Sequence, residues 1–161
     1  MAKGDVRVVT TPGGVAPTVR YAVAADTALY AGEPVKLISA EGSNTVDLLA
    51  TGDPEIGTDI VAGITASDST DTATAAGYVD VYIPQVGMVY GCAATTGADL
   101  AEGVRYDTVT FDLAGTTFTV DENEGTDENI HGLRIVDFDE DTDEVFFTIK
   151  VNATVDGALV A

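Results

Sequence analysis

The chain has 161 residues, 45% of them hydrophobic, and sets 27 Asp and Glu against 7 Lys and Arg for a formal net charge of −20. That length suits one domain able to bury a core without disulfides or metals. The charge argues against nucleic acid and anionic membrane surfaces as partners, because both are held by clustered cations.

One cysteine leaves no disulfide framework and no thiolate set for zinc or an iron–sulfur cluster. Cys92 lies in Tyr90-Gly91-Cys92-Ala93-Ala94 and reads as a small buried side chain. The start, Met1-Ala2-Lys3-Gly4-Asp5, has no apolar stretch like a signal peptide, and no window approaches the ~20 apolar residues of a membrane helix. The expectation is a soluble product made in the cytoplasm. Lys occurs only at Lys3, Lys36 and Lys150, and carboxylates in such excess suit either a saline setting, where salt screens their repulsion, or an ordinary acidic surface that resists aggregation. Residues 1–36 carry four cations and three carboxylates, so a near-neutral leader precedes a strongly negative body.

Residues 1–20 read as an extended arm, with strand-forming Val6, Val8 and Val9 followed by the breakers Thr10-Thr11-Pro12-Gly13-Gly14 and Pro17. Its residues Val6, Arg7, Val8, Val9 and Arg20 are the candidates for contact with a partner. Residues 21–161 read as one domain of short β-branched and aromatic runs punctuated by Gly, Pro, Asp and Asn. Strands are predicted at 35–38, 44–49 and 60–65. The clearest alternation is 77–83, with Val79, Val81 and Ile83 on one face. Pro84 ends it, and 88–90 resumes as the same bent strand or as a second one. Residues 97–102 are the only helical stretch, too short for more than a turn or two. Two hairpins follow, 109–113 with 117–120 and 133–138 with 145–151, the latter joined by an acidic turn and sending Val145, Phe147, Ile149 and Val151 inward. The predicted fold is all-β, a small antiparallel β-barrel or sandwich, with a barrel preferred, carrying an extended N-terminal arm and long acidic hairpin loops.

No catalytic constellation is expected. His131 is the only histidine and stands in a loop without a nucleophile elbow or a phosphate-binding motif. In the run 137–144, Asp137, Asp139, Asp141 and Asp143 could converge on calcium, although the glycine and the twelfth-position Glu of an EF-hand loop are missing. The alternative reading of that run is a solvated turn guarding a hydrophobic strand against aggregation. Asn152-Ala153-Thr154 fits a glycosylation sequon, a pattern that arises often by chance.

Four segments together carry a resemblance: Ala31-Gly32-Glu33-Pro34-Val35-Lys36-Leu37, Val61-Ala62-Gly63-Ile64-Thr65, Gly77-Tyr78-Val79-Asp80-Val81-Tyr82-Ile83 with Gly87-Met88-Val89, and Ala98-Asp99-Leu100-Ala101-Glu102-Gly103-Val104. Over roughly residues 30–107 the chain resembles the capsid decoration, or cement, proteins of tailed viruses, and departs from them in its leader and its two late hairpins. The resemblance implies a non-enzymatic structural virion protein that binds the major capsid protein on the outer capsid surface, often as a trimer at local three-fold positions. No cofactor is expected apart from calcium at the acidic run, and with the acidic composition the resemblance suggests a virus of a halophilic host. The competing reading is a calcium-dependent extracellular adhesion or surface-layer module, resting on the acidic run.

Overall fold

The computed structural model describes residues 5–38 and 44–154. Twelve strands are found among them: β1 Arg7–Thr10, β2 Thr18–Val23, β3 Pro34–Leu37, β4 Val46–Leu48, β5 Val61–Thr65, β6 Gly77–Tyr82, β7 Val89–Ala93, β8 Thr108–Val109, β9 Phe111–Ala114, β10 Thr117–Val120, β11 Leu133–Asp139 and β12 Glu144–Ile149. The only helical pieces among the described residues are two short 3-10 turns, Glu102–Val104 and Val151–Ala153. No helix there is long and apolar enough to cross a membrane.

The strands make a sandwich, not the barrel that the sequence favoured. One five-stranded sheet runs β1-β7-β12-β11-β8, the other β2-β6-β5-β3-β4, and β9 and β10 form a separate hairpin. Every pairing between these strands is antiparallel. A barrel needs one continuous ladder, whereas here the 83–88 connection passes from β6 in the second sheet to β7 in the first. Pro84 and Gly87 break the ladder at that point. The two runs on either side of Pro84 are therefore two strands in two sheets.

The larger core cluster lies between the layers and draws Tyr90, Ile135, Val145 and Phe147 from the first sheet and Val61 and Ile64 from the second. Tyr90 stacks on Phe147 at 5.6 Å, and Phe111 meets Phe147 and Phe118 edge-on, which are favourable ring geometries. A smaller cluster gathers Val23, Leu29, Val35, Val46, Ala62, Val79 and Val81, and Leu48 packs against both. β5 is buried along its whole length because it feeds both clusters. Gly63 within it has φ +144°, and a Cβ there would collide with the Tyr82 carbonyl oxygen, so only glycine fits between β3 and β6.

From residue 5 on, the leader does not stand off the domain. Val6 is in the core, 2% exposed, and its N–H donates to the Gly32 carbonyl. β1 then closes one edge of the first sheet on β7, while β2 closes one edge of the second on β6. The breakers at 11–17 serve to carry the chain from one sheet to the other. The late strand also differs from expectation: β12 ends at Ile149, and Val151, expected inside, is exposed in a 3-10 turn.

Candidate docking surface

Alternation along β12 sends Val145 and Phe147 inward and Phe146 outward. Across the sheet, Phe146 pairs with Gly91 of β7 on one side and Asp137 of β11 on the other, and Gly91 pairs with Arg7 of β1. Regular strands would surround this aromatic ring with alternating polar residues. Two bulges change that. The register slips between Val8 and Thr10 and again between Ile135 and Asp137, leaving Val9 and Val136 as the extra residues, and a bulge re-aims its side chain. Val9, Val89, Phe146 and Val136 thereby line one shallow concavity of about 430 Å³ on the outer face.

Gly91 makes this strip possible by leaving space. A Cβ there would lie 2.6 Å from Glu144 Oε1, 3.1 Å from Val9 Cγ2 and 3.3 Å from Arg7 Nε. The vacancy lets Arg7 reach across β7, donate from Nε to Glu144 Oε1 at 2.8 Å and lie 5.9 Å from the Phe146 ring centre. On the opposite side Arg105 covers Phe138 at 5.2 Å and pairs with Glu102 and Asp137. These carboxylates hold the Arg105 guanidinium above its ordinary value. The Phe138 N–H and Arg105 together hold the Asp137 carboxyl below its own. An apolar strip is thus flanked by cations whose charge is already balanced, beside a strand that among the described residues pairs on one side only.

The five contact candidates from the leader separate accordingly. Arg7 and Val9 belong to the strip. Val6 is buried, and Val8 packs partly against the larger core. Arg20 sits on the other sheet, paired with Asp80 at 2.9 Å and stacked 4.0 Å from the Tyr78 ring, and the hydrogen bond with Asp80 raises the Arg20 guanidinium and lowers the Asp80 carboxyl. Sequence reasoning missed Phe146, Val89 and Val136. Phe146 points outward by the same alternation that sends Val145 and Phe147 inward, whereas the bulges that re-aim Val9 and Val136 leave no composition signal.

The four metal candidates are not brought together. Asp137 is engaged by Arg105, Asp139 accepts the N–H groups of Asp141 and Thr142 within its own turn, and Asp143, at φ +54°, turns back against Gly97. No group of three or more His, Cys, Asp or Glu placed for a metal ion occurs among the described residues. In the acidic segment 121–128 one carboxylate turns inward: Glu122, 2% exposed, accepts the N–H groups of Thr95, Thr96 and Gly97.

His131 is held in place by both ring nitrogens. Nδ1 donates to the Thr108 carbonyl at 2.9 Å, and Nε2 faces Glu124 Oε1 at 3.3 Å. Cys92 is 2% exposed and contacts the Phe118 carbonyl at 3.4 Å, and burial pushes its thiol up to about 12. Its thiolate is therefore scarce at neutral pH. Compared with protein-family models and with curated proteins, the sequence matches none.

Proposed function

We propose that this chain is a structural virion protein that binds the outer surface of a tailed-virus capsid and stabilises it, with the Val9–Val89–Phe146–Val136 strip set against the capsid protein. The observation that carries the reading is this strip, an outward apolar face beside β1, which is the end strand of its sheet among the described residues, on a chain of net charge −20. Exposed apolar faces rimmed by polar groups are the usual marks of protein contact, and a central aromatic seated among aliphatic side chains is the kind of anchor that dominates such contacts. Charge over the rest of the surface keeps copies dispersed at the high local concentration of a shell. The resemblance over residues 30–107 supplies the partner class, the trimeric arrangement at three-fold positions and the outer-capsid location, and the acidic composition supplies the halophilic host.

The test is saturable co-sedimentation with expanded capsids of the source virus. Phe146→Glu and Val9→Asp are expected to weaken binding at least about tenfold, since a charge buried without a partner costs more than the ~1.4 kcal/mol that a factor of ten represents. Thr116→Asp, on the β9–β10 turn, is expected to bind normally. Equal binding by all three variants would refute the strip as the docking face, and absence of binding by the parent would refute the function.

A further inference from the structure

We infer that the end of the sandwich built from the 11–17 and 83–88 connections is the surface through which copies of this chain meet one another. This inference does not rest on the capsid reading.

Residues 8–19 and 81–98 carry no charged side chain, in a chain with 27 carboxylates. The fold lays these two stretches side by side. β1 pairs with β7 and β2 with β6, the Ile83 N–H donates to the Pro17 carbonyl at 2.9 Å, and Pro12 Cγ stands 3.4 Å from where a Cβ on Gly87 would be. Val15 and Val86, on the two tips, are 78% and 81% exposed, the highest values among the exposed large hydrophobic side chains of the described residues. On the adjoining strands Arg20 and Asp80 pair through two hydrogen bonds and balance each other, and Lys150, just beyond β12 at this end, is engaged by Glu128.

Both tips are preorganised. Gly14 N–H donates to the Thr11 carbonyl and Met88 N–H to the Gln85 carbonyl, each at 3.0 Å, while Pro12, Pro17 and Pro84 fix their own backbone φ. A surface ordered in advance loses little freedom on contact.

The lack of charge selects the occupant. A cationic partner gains most by settling on the carboxylate-rich surface elsewhere, whereas a second body of the same −20 charge is repelled there. Like-charged copies can come together only where neither brings a carboxylate. Two adjacent turns make a projecting end, so copies are expected to arrange about a rotation axis with these ends inward. The contact is apolar and the opposing force is Coulombic, so added salt should strengthen the association.

Sedimentation velocity on the full chain tests this over a concentration series in about 0.1 M and about 1 M KCl, where the Debye length is about 10 Å and about 3 Å. The expected result is concentration-dependent self-association that is stronger at the higher salt. Val15→Asp and Val86→Asp should each weaken it at least about tenfold, because each places like charges opposite one another. Thr142→Asp, exposed on the β11–β12 turn at the opposite end of the first sheet, should leave it unchanged. At a concentration where the parent is monomeric, both tip variants should keep its melting temperature. Monomer at every concentration and both salts, association that both tip variants leave intact, or association that weakens as salt rises would each overturn the inference.

Discussion

Two buried polar groups show at the level of single residues how the core tolerates chemistry it does not use. The Tyr90 hydroxyl is buried among apolar side chains with no hydrogen-bond partner, and burial raises it well above its ordinary value. An unsatisfied buried hydroxyl costs about 1–3 kcal/mol, while the ring keeps its stacking on Phe147 without it. Tyr90→Phe is therefore expected to be neutral or to stabilise by about 1 kcal/mol in urea unfolding, and a loss of that size would mean that the hydroxyl is engaged. Glu33 is 2% exposed, and burial raises its carboxyl above 4.5 in spite of the Tyr30 N–H donated to it. Between the unfolded value and the raised folded value the native state holds more protons than the unfolded chain. The contribution of this group is thus full below about 4.5 and is lost as pH rises through the folded value. Glu33→Gln keeps an acceptor for Tyr30 and removes that loss. Its stability relative to the parent should rise between pH 4 and pH 7 in paired urea titrations, and a flat difference would contradict the burial argument.

β1 is the strand whose role changed most between sequence and fold. Four residues of Val and Thr before a Pro-Gly-Gly run look like a free arm, because nothing local shows that β7 offers them an edge. The pairing is long-range, and Val6 is fixed by the core rather than by its neighbours. Val6→Ala removes two buried carbon atoms and is expected to cost about 2 kcal/mol in urea unfolding. Deleting residues 1–20 would cost considerably more, since it removes all of β1 and the first half of β2, so a truncated protein that failed to bind would report unfolding as much as lost contact. An unchanged unfolding midpoint for Val6→Ala would show that β1 is not docked. Elements with strong local signals were legible: the alternation at 77–83 appears as β6 Gly77–Tyr82 with Val79 and Val81 fully buried, and both late hairpins form. The candidate site was half legible. Arg7 and Val9 were named from the leader, but the partner residues Val89, Val136 and Phe146 come together through two bulges and a glycine, and register slips of one residue cannot be read from alternation. The uncharged stretches were visible in the sequence, yet only the antiparallel pairing of their flanking strands shows that they adjoin.

Over the whole molecule the question is what net charge does to stability. Each Lys and Arg side chain among the described residues already pairs with a carboxylate of its own chain, as Lys36 does with Asp53 and Asp59 and Arg134 with Glu128, leaving most of the 27 carboxylates to repel one another. Salt weakens both effects. Exposed ion pairs are worth about 0–1 kcal/mol each, and six cations cannot offset a long-range repulsion of this sign, so screening the repulsion wins. The melting temperature is expected to rise by several degrees between about 0.1 M and about 1 M KCl, where the Debye length falls from about 10 Å to about 3 Å. A fall in scanning calorimetry would show that the ion pairs dominate.

The most direct test of the central claim is a cryo-electron microscopy reconstruction of expanded capsids from the source virus, incubated with saturating protein in concentrated salt. Added density is expected on the outer surface at three-fold or quasi-three-fold positions, fitted by the two-layer sandwich with Phe146 and Val9 against the shell. Bare capsids, or density in which that face points to solvent, would contradict it.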